Sequence, residues 1–222
     1  DPVDARTLKH KICLCSTLLL ALGLFGVVST AQASDPAAGV DGAFALVHIV
    51  SVESWDGSPS HSPIQPQSIQ RITLHHQGES WINGGDVAGY LQRLQQWSRL
   101  TKRWSDIPYH YVVSPEGQIY AARDLAVPGD TNTEYNPNGH ALIMLLGNLE
   151  EVQPSRAQLL ATVDLLAVLV RKHHLDLQDI ATHRDFSAQT LCPGKHLSAY
   201  VTSGWLLRAV QSRLTNQPVA EP

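Results

Sequence analysis

Ile69-Gln70-Arg71-Ile72-Thr73-Leu74-His75-His76 is the stretch on which the fold turns. From Ile72 it is apolar and β-branched, then it closes on two imidazoles, which reads as a buried strand over 69–75 with a polar end. Working outward, strand and helix periodicities alternate. Residues 86–98 set Val87, Tyr90, Leu91, Leu94 and Trp97 on one helical stripe, with Gln and Arg opposite. Residues 109–113 read as a strand, Ser114-Pro115-Glu116-Gly117 as a turn, and 118–121 as the returning partner. Residues 140–146 are strongly apolar and end at Gly147-Asn148. Pro154 precedes the longest predicted helix, 155–173, with Leu159, Val163, Leu166 and Val170 on its inner face. A short strand at 180–182 delivers His183, and 203–214 reads as a final helix. Strands interleaved with helices predict an α/β sheet layered with helices.

The chain of 222 residues is 43% hydrophobic and 16% charged, as expected of a globular protein. A formal net charge of −4 gives no global attraction for nucleic acid. Ahead of the periodic region, Arg6, Lys9 and Lys11 precede an apolar run over 12–28 and then Ser29-Thr30-Ala31-Gln32-Ala33-Ser34. That pattern reads as an export signal over 1–33, with cleavage after Ala33 and with Asp1 and Pro2 standing ahead of its natural start. An uncleaved membrane anchor is the alternative, because the run approaches spanning length. The expected organisation is a leader and edge segment over 34–67, a domain over 68–215 and a tail over 216–222. Within the leader, 44–52 reads as an edge strand and the proline-containing 56–67 as a loop. The expectation is a protein of the periplasm or exterior, without stable membrane insertion after cleavage; nothing in the sequence sets an oligomeric state.

Of three cysteines, Cys13 and Cys15 fall in the export segment, leaving Cys192 alone in the mature chain. An exported protein with one cysteine forms no internal disulfide, and an exposed thiol there is prone to oxidation. Thr190-Leu191-Cys192-Pro193-Gly194 reads as a turn, with Thr182-His183-Arg184 shortly upstream and His75 far upstream. Two imidazoles and a thiolate are a common open zinc set. Each residue also has a plainer reading: His75 as a hydrogen-bonded core histidine, Cys192 as a small buried hydrophobe. Side chains alternate along a strand, so His75 and His76 point to opposite faces and do not readily share one ion.

Four segments in order carry a resemblance: Ile72-Thr73-Leu74-His75-His76; Asp106-Ile107-Pro108-Tyr109-His110-Tyr111; Pro115-Glu116-Gly117-Gln118-Ile119-Tyr120; and Thr182-His183-Arg184 with Thr190-Leu191-Cys192-Pro193-Gly194. Together with Leu145-Leu146-Gly147-Asn148, they make residues 69–214 similar to the zinc-dependent N-acetylmuramoyl-L-alanine amidases of the phage T7 lysozyme and peptidoglycan recognition protein type. The resemblance implies a single domain with a central mixed β-sheet flanked by helices. It implies Zn2+ held by His75, His183 and Cys192, with Tyr109 facing the metal and Thr190 as a polar catalytic helper. The implied substrate is peptidoglycan or a muropeptide, cut between the lactyl group of N-acetylmuramic acid and L-alanine. Arg184, His140 and Asn136 are candidate substrate contacts, each with a structural alternative, and Trp81 is either a sugar platform or a partial core plug.

The sequence departs from the family pattern in four places. Met144 stands where some members carry a glutamate, Gln77 replaces the Thr or Ser after the histidine pair, and 128–132 lacks a Gly-Ala-His. The spacing from His183 to Cys192 is one residue longer than in similar chains. Two other readings therefore stand beside the amidase: a peptidoglycan-binding module without turnover, and a zinc amidohydrolase for another amide.

Overall fold

The structure, a computed structural model, describes residues 47–60 and 66–222. The expected export signal, with Cys13 and Cys15, and the start of the expected 44–52 strand lie outside the described residues. Among these residues six strands form one mixed sheet: β1 (Ile49–Val50), β2 (Arg71–His76), β3 (Tyr111–Val113), β4 (Ile119–Ala121), β5 (His140–Leu145) and β6 (Ile180–Thr182). Their order is β1-β4-β3-β5-β2-β6. Only the β3–β4 hairpin is antiparallel; β2 lies parallel to both β5 and β6. Among the described residues four helices flank the sheet: α1 (Val87–Leu100), α2 (Arg156–His173), α3 (Lys195–Thr202) and α4 (Trp205–Leu214).

Strand alternation sorts the core into two layers. Ile72 and Leu74 of β2, Ala141, Ile143 and Leu145 of β5 and Val113 of β3 face α2 and α4. There they meet Leu159, Val163, Leu166, Leu206 and Val210, each fully buried and each contributing about 1.5–3 kcal/mol of transfer free energy. The intervening residues, Val112 and Met144, face α1, where Val87, Leu91, Trp55 and Ile107 close a smaller cluster. Thr73 and His75 alternate with Ile72 and Leu74 and so point to this second side. The face on which His75 emerges follows from the strand's own apolar spacing.

Local chemistry sets the helix positions. Ser155 caps α2 by accepting from Gln158 N at 3.0 Å, and Arg171, Lys172 and His173 occupy its last turn, where positive charge meets the helix dipole favourably. Gln158 is buried, and its Nε2 donates to Val113 O and Leu146 O at 2.9 and 3.0 Å, hooking α2 to the sheet. In α1 the expected stripe is shifted. Trp97 is 44% exposed, whereas Gln95 and Ser98 are buried. Gln95 turns inward because its amide has polar partners there: Ser58 O at 2.9 Å and the buried Asp106 carboxylate at 2.8 Å.

Three further differences are physical rather than marginal. Helix α3 begins two residues after Pro193, in a stretch with no sequence sign of more than a turn, because its first turn docks on the β5–α2 connection. Lys195 N donates to Glu150 Oε2 at 2.7 Å and His196 N to Leu149 O at 3.1 Å. Regular strand starts only at Tyr111, so Tyr109 and Tyr111 do not share a face: Tyr109 packs with the α1-side cluster and Tyr111 with the α2-side core. Residues 216–222 lack regular structure yet dock on the helices. Trp205 Nε1 donates to Ala220 O and Glu221 O at 3.2 and 3.0 Å, and Arg156 pairs with Glu221.

Candidate metal centre

His75 is the fifth of six residues in β2, and His183 follows the last residue of β6. Because the strands are parallel neighbours, both histidines reach the same carboxyl-terminal sheet edge, where α/β folds place their ligands. The turn carrying His183 is shaped by its flanks. Asp185 accepts from both Thr182 N and Thr182 Oγ1 at 2.7 Å, fixing the 3-10 turn His183–Asp185.

Cys192 is brought back by the following loop. Arg184 N donates to Cys192 O at 3.1 Å, the Arg184 guanidinium bonds Leu191 O, and Cys192 N donates to Thr190 Oγ1 at 3.0 Å. Gly194 then turns the chain at φ +87°; a Cβ there would lie 2.3 Å from the backbone carbon of Leu149, so only glycine fits.

The result is a buried triad. The donor atoms of His75, His183 and Cys192 all lie within 4.8 Å of one another. His75 Nδ1 stands 3.5 Å from Cys192 Sγ. Zinc–nitrogen and zinc–sulfur bonds of ordinary length set at a tetrahedral angle span about 3.6 Å, so this edge already has the right length. The sulfur also receives the His76 backbone N–H at 3.4 Å. The His76 ring points elsewhere, its Nδ1 accepting from Leu149 N at 3.1 Å.

Electrostatics support the same assignment. Burial, reinforced by neighbouring imidazoles, holds His75 well below the usual histidine range, and burial lowers His183 as well. Burial pushes the Cys192 thiol up to about 12, against opposing pulls from the His76 N–H and Arg184. Both imidazoles are thus held neutral, the form in which they donate to metals. The thiol would ionise on meeting a dication, whose charge reverses the cost of the buried thiolate. His75 Nε2 is buried without a hydrogen-bond partner among the described residues. A buried set of two neutral imidazoles and a thiol fits a metal better than it fits an apolar core.

The triad forms the floor of a cleft of about 700 Å³. Met144, paired in register with His75, makes the floor apolar beside it. Tyr109 stands over the centre with its ring 5.1 Å from that of His75. Burial and the nearby Cys192 raise the Tyr109 hydroxyl well above the usual tyrosine range, keeping it a proton donor at neutral pH. Thr190 lines the cleft too. Its oxygen takes the Cys192 N–H, leaving its own hydroxyl proton available. One wall is the 130–133 segment; the other is α1, with Arg93, Leu94 and Trp97, continued by Trp104. Lys102 lies over both indoles, 5.8 Å from Trp97 and 4.9 Å from Trp104.

The remaining candidates sit apart from this cleft. Arg184 is exposed and straps the cysteine loop. His140 is buried at the opposite end of β5, bonded through Nδ1 to Thr73 Oγ1 at 2.8 Å and packed on Phe186. Asn136 closes a turn on Asn138 N at 3.0 Å. Trp81 packs edge-on against Tyr90, 5.4 Å away. Gln77 does line the cleft, and its Oε1 accepts from Gly147 N at 3.0 Å.

Two contributors carry no signal in the sequence. Thr133 Oγ1 lies 2.7 Å from His183 Nε2, a contact across fifty residues that no local spacing announces. Arg123 is buried and donates to Asp106 O and Ile107 O at 2.7 and 2.6 Å, to Pro128 O and to the Asp130 carboxylate. It thereby joins the entry to β3, which carries Tyr109, to the 130–133 wall.

An N,N,S donor set at the carboxyl ends of two parallel strands, open to a cleft, has the make-up of an open metal centre. The chain belongs to the N-acetylmuramoyl-L-alanine amidase family, whose model matches residues 65–195. It is 28% identical to peptidoglycan-recognition protein SD of Drosophila melanogaster over 161 residues, 70% of this chain and 84% of the relative. The crystal structure of that protein superposes with a TM-score of 0.62, covering 70% of this chain and 94% of the other. Peptidoglycan-recognition protein LB of the same fly is 29% identical over 195 residues, 83% of this chain and 79% of the relative. The N-acetylmuramoyl-L-alanine amidase LysC of Clostridium intestinale shares the fold, with a TM-score of 0.55 at 22% identity over 71% of this chain and 97% of that one.

Proposed function

We propose that this protein is a zinc-dependent amidase that hydrolyses the bond between the lactyl group of N-acetylmuramic acid and L-alanine in peptidoglycan. The observation that carries the reading is the complete, buried His75–His183–Cys192 triad at the floor of an open cleft. Zinc held by these three would supply Lewis-acid polarisation of the amide carbonyl and activation of water. The chain's own residues supply the rest. Tyr109, kept protonated by burial, donates a hydrogen bond to the oxygen that gains charge as the carbonyl becomes tetrahedral. Thr190 offers a second proton at the same floor while its oxygen holds the cysteine loop. Met144 places no carboxylate beside His75, so the proton given up by the attacking water is passed to the departing amine through the Tyr109 or Thr190 hydroxyl or a neighbouring histidine. The Trp97–Lys102–Trp104 stack gives the outer cleft apolar ring faces beside a cation, a surface suited to sugar rings and peptide carboxylates.

A second reading, a peptidoglycan-binding module without turnover, draws on the recognition-protein names of the relatives. It leaves the three buried donors without a purpose, although burying polar groups unpaired is costly. The test is mass spectrometry of purified peptidoglycan after incubation with the zinc-loaded protein. Intact stem peptides bearing a free N-terminal alanine, lost on chelation, are expected. Unchanged peptidoglycan from protein shown to hold zinc would turn the reading towards a binding module or another amide.

A further inference from the structure

We infer that Thr133 is a positioning residue for the metal centre: its hydroxyl holds the Nε2–H form of His183, so that the ring's Nδ1 lone pair is the one presented to the metal. The inference rests on the zinc reading above and concerns a residue on a different segment from every ligand.

The geometry is a short hydrogen-bonded chain. His183 Nε2 lies 2.7 Å from Thr133 Oγ1, and Thr133 Oγ1 lies 2.9 Å from Thr131 Oγ1. Thr131 Oγ1 also receives Thr133 N at 3.1 Å. The contacts accommodate the direction His183 Nε2–H to Thr133, then Thr133 O–H to Thr131, with Thr131 accepting twice, and this is the direction that leaves Nδ1 bare. A neutral imidazole carries one proton, so an Nε2 that donates leaves Nδ1 as the acceptor. Two aromatic neighbours pack against the ring: His75 with centroids 4.6 Å apart and Tyr135 at 5.2 Å. They restrict tilt but do not choose a tautomer. Thr133 does.

The 130–133 wall is rigid enough for this task. The buried Arg123 guanidinium grips the Asp130 carboxylate and Pro128 O, and Asp130 N reaches Pro108 O at 3.4 Å. Metal-bound histidines generally depend on a partner at the other ring nitrogen, and losing it typically weakens metal binding about 10–100-fold.

The experiment compares the full-length wild type with Thr133→Val, Thr133→Ser and Cys192→Ser. Zinc affinity is read by competition with a fluorescent chelator, and the His183 tautomer by side-chain nitrogen NMR of the zinc-free protein. Thr133→Val preserves shape and removes the hydroxyl; it should lose about 10–100-fold in zinc affinity and show mixed tautomers. Thr133→Ser should restore both, which a purely packing role would not do. Thermal melts of the zinc-free variants check that Val has not unfolded the wall. Should Thr133→Val bind zinc within about twofold of wild type with an unchanged tautomer, the inference is overturned while the metal site stands. Equal zinc binding by wild type and Cys192→Ser would instead remove the metal site, and the inference with it.

Discussion

Removing zinc should lower the melting temperature, and replacing Cys192 by alanine should abolish that response without unfolding the protein. In the metal-free fold the centre is a buried cluster of two neutral imidazoles and a thiol. The thiol itself behaves there as a small buried hydrophobe, so in chelator the alanine variant should lie within about 1 kcal/mol of wild type. Zinc at a hundred times its dissociation constant stabilises the folded state by about 2.7 kcal/mol, less whatever the unfolded His and Cys side chains bind. For a domain of this size each kcal/mol moves the midpoint by about 2–4 °C, so the wild type should gain about 5–10 °C on loading. The assay is a calorimetric scan of both proteins with zinc and with chelator. A wild-type midpoint indifferent to zinc, or an alanine variant that keeps the full increment, would refute the assignment of the triad as a metal site.

Three other outcomes are expected. Tyr109→Phe should reduce kcat about 100- to 1,000-fold while leaving zinc affinity unchanged, as loss of one oxyanion donor does; a kcat within threefold of wild type would remove Tyr109 from the chemistry. Gly194→Ala forces a Cβ to 2.3 Å from the backbone carbon of Leu149 at φ +87° and should cost about 2 kcal/mol or more in a urea melt. Its failure to do so would mean that the loop after Cys192 can move away from Leu149. The pH dependence should report His110, fully buried, with Nδ1 accepting from Leu142 N at 2.8 Å and Nε2 donating to Val127 O at 2.9 Å. Burial, aided by Arg123 and His140 and opposed by the Val127 carbonyl and Asp124, lowers its pKa to about 4. The folded state therefore favours the neutral ring: this stability is complete above pH 6.5 and is lost as pH falls towards about 4, up to about 3 kcal/mol. His110→Gln should flatten the slope of stability against pH in that window by about 1.4 kcal/mol per pH unit; parallel slopes would contradict it.

What could be read from the sequence was whatever the chain states locally. The β5 strand and the α2 helix carry long, unbroken periodicities, and both stand where the pattern puts them. The α1 helix was also legible, but its inner stripe was not, because hydrophobicity alone cannot say that Gln95 has Asp106 and Ser58 to meet inside. Helix α3 was invisible for a related reason. Eight residues are too few to be stable alone, and its start is held by Glu150 and Leu149 from another part of the chain. Tyr109 looked like a strand residue because nothing local marks the irregular backbone at Pro108 and Tyr109 as different from the strand that follows.

The same division runs through the candidate site. His75, His183 and Cys192 are rare residue types at strand ends and in a turn, and the sheet brings them together because β2 and β6 are parallel neighbours. Candidate ligands of that kind advertise themselves. The groups that orient them do not, since threonine and arginine are common and act through contacts distant in sequence. Thr133 reaches His183 across fifty positions, and Arg123 ties Asp106 to Asp130 through a guanidinium that reads, in sequence, as one more surface charge. Arg184, His140 and Asn136 show the converse. Each has the chemistry to hold a substrate, yet each lies outside the cleft with one polar atom engaged by the loop or strand that carries it. Residue type can nominate a candidate metal ligand. Nominating a substrate contact requires knowing whether its polar atoms are already engaged, and only packing decides that.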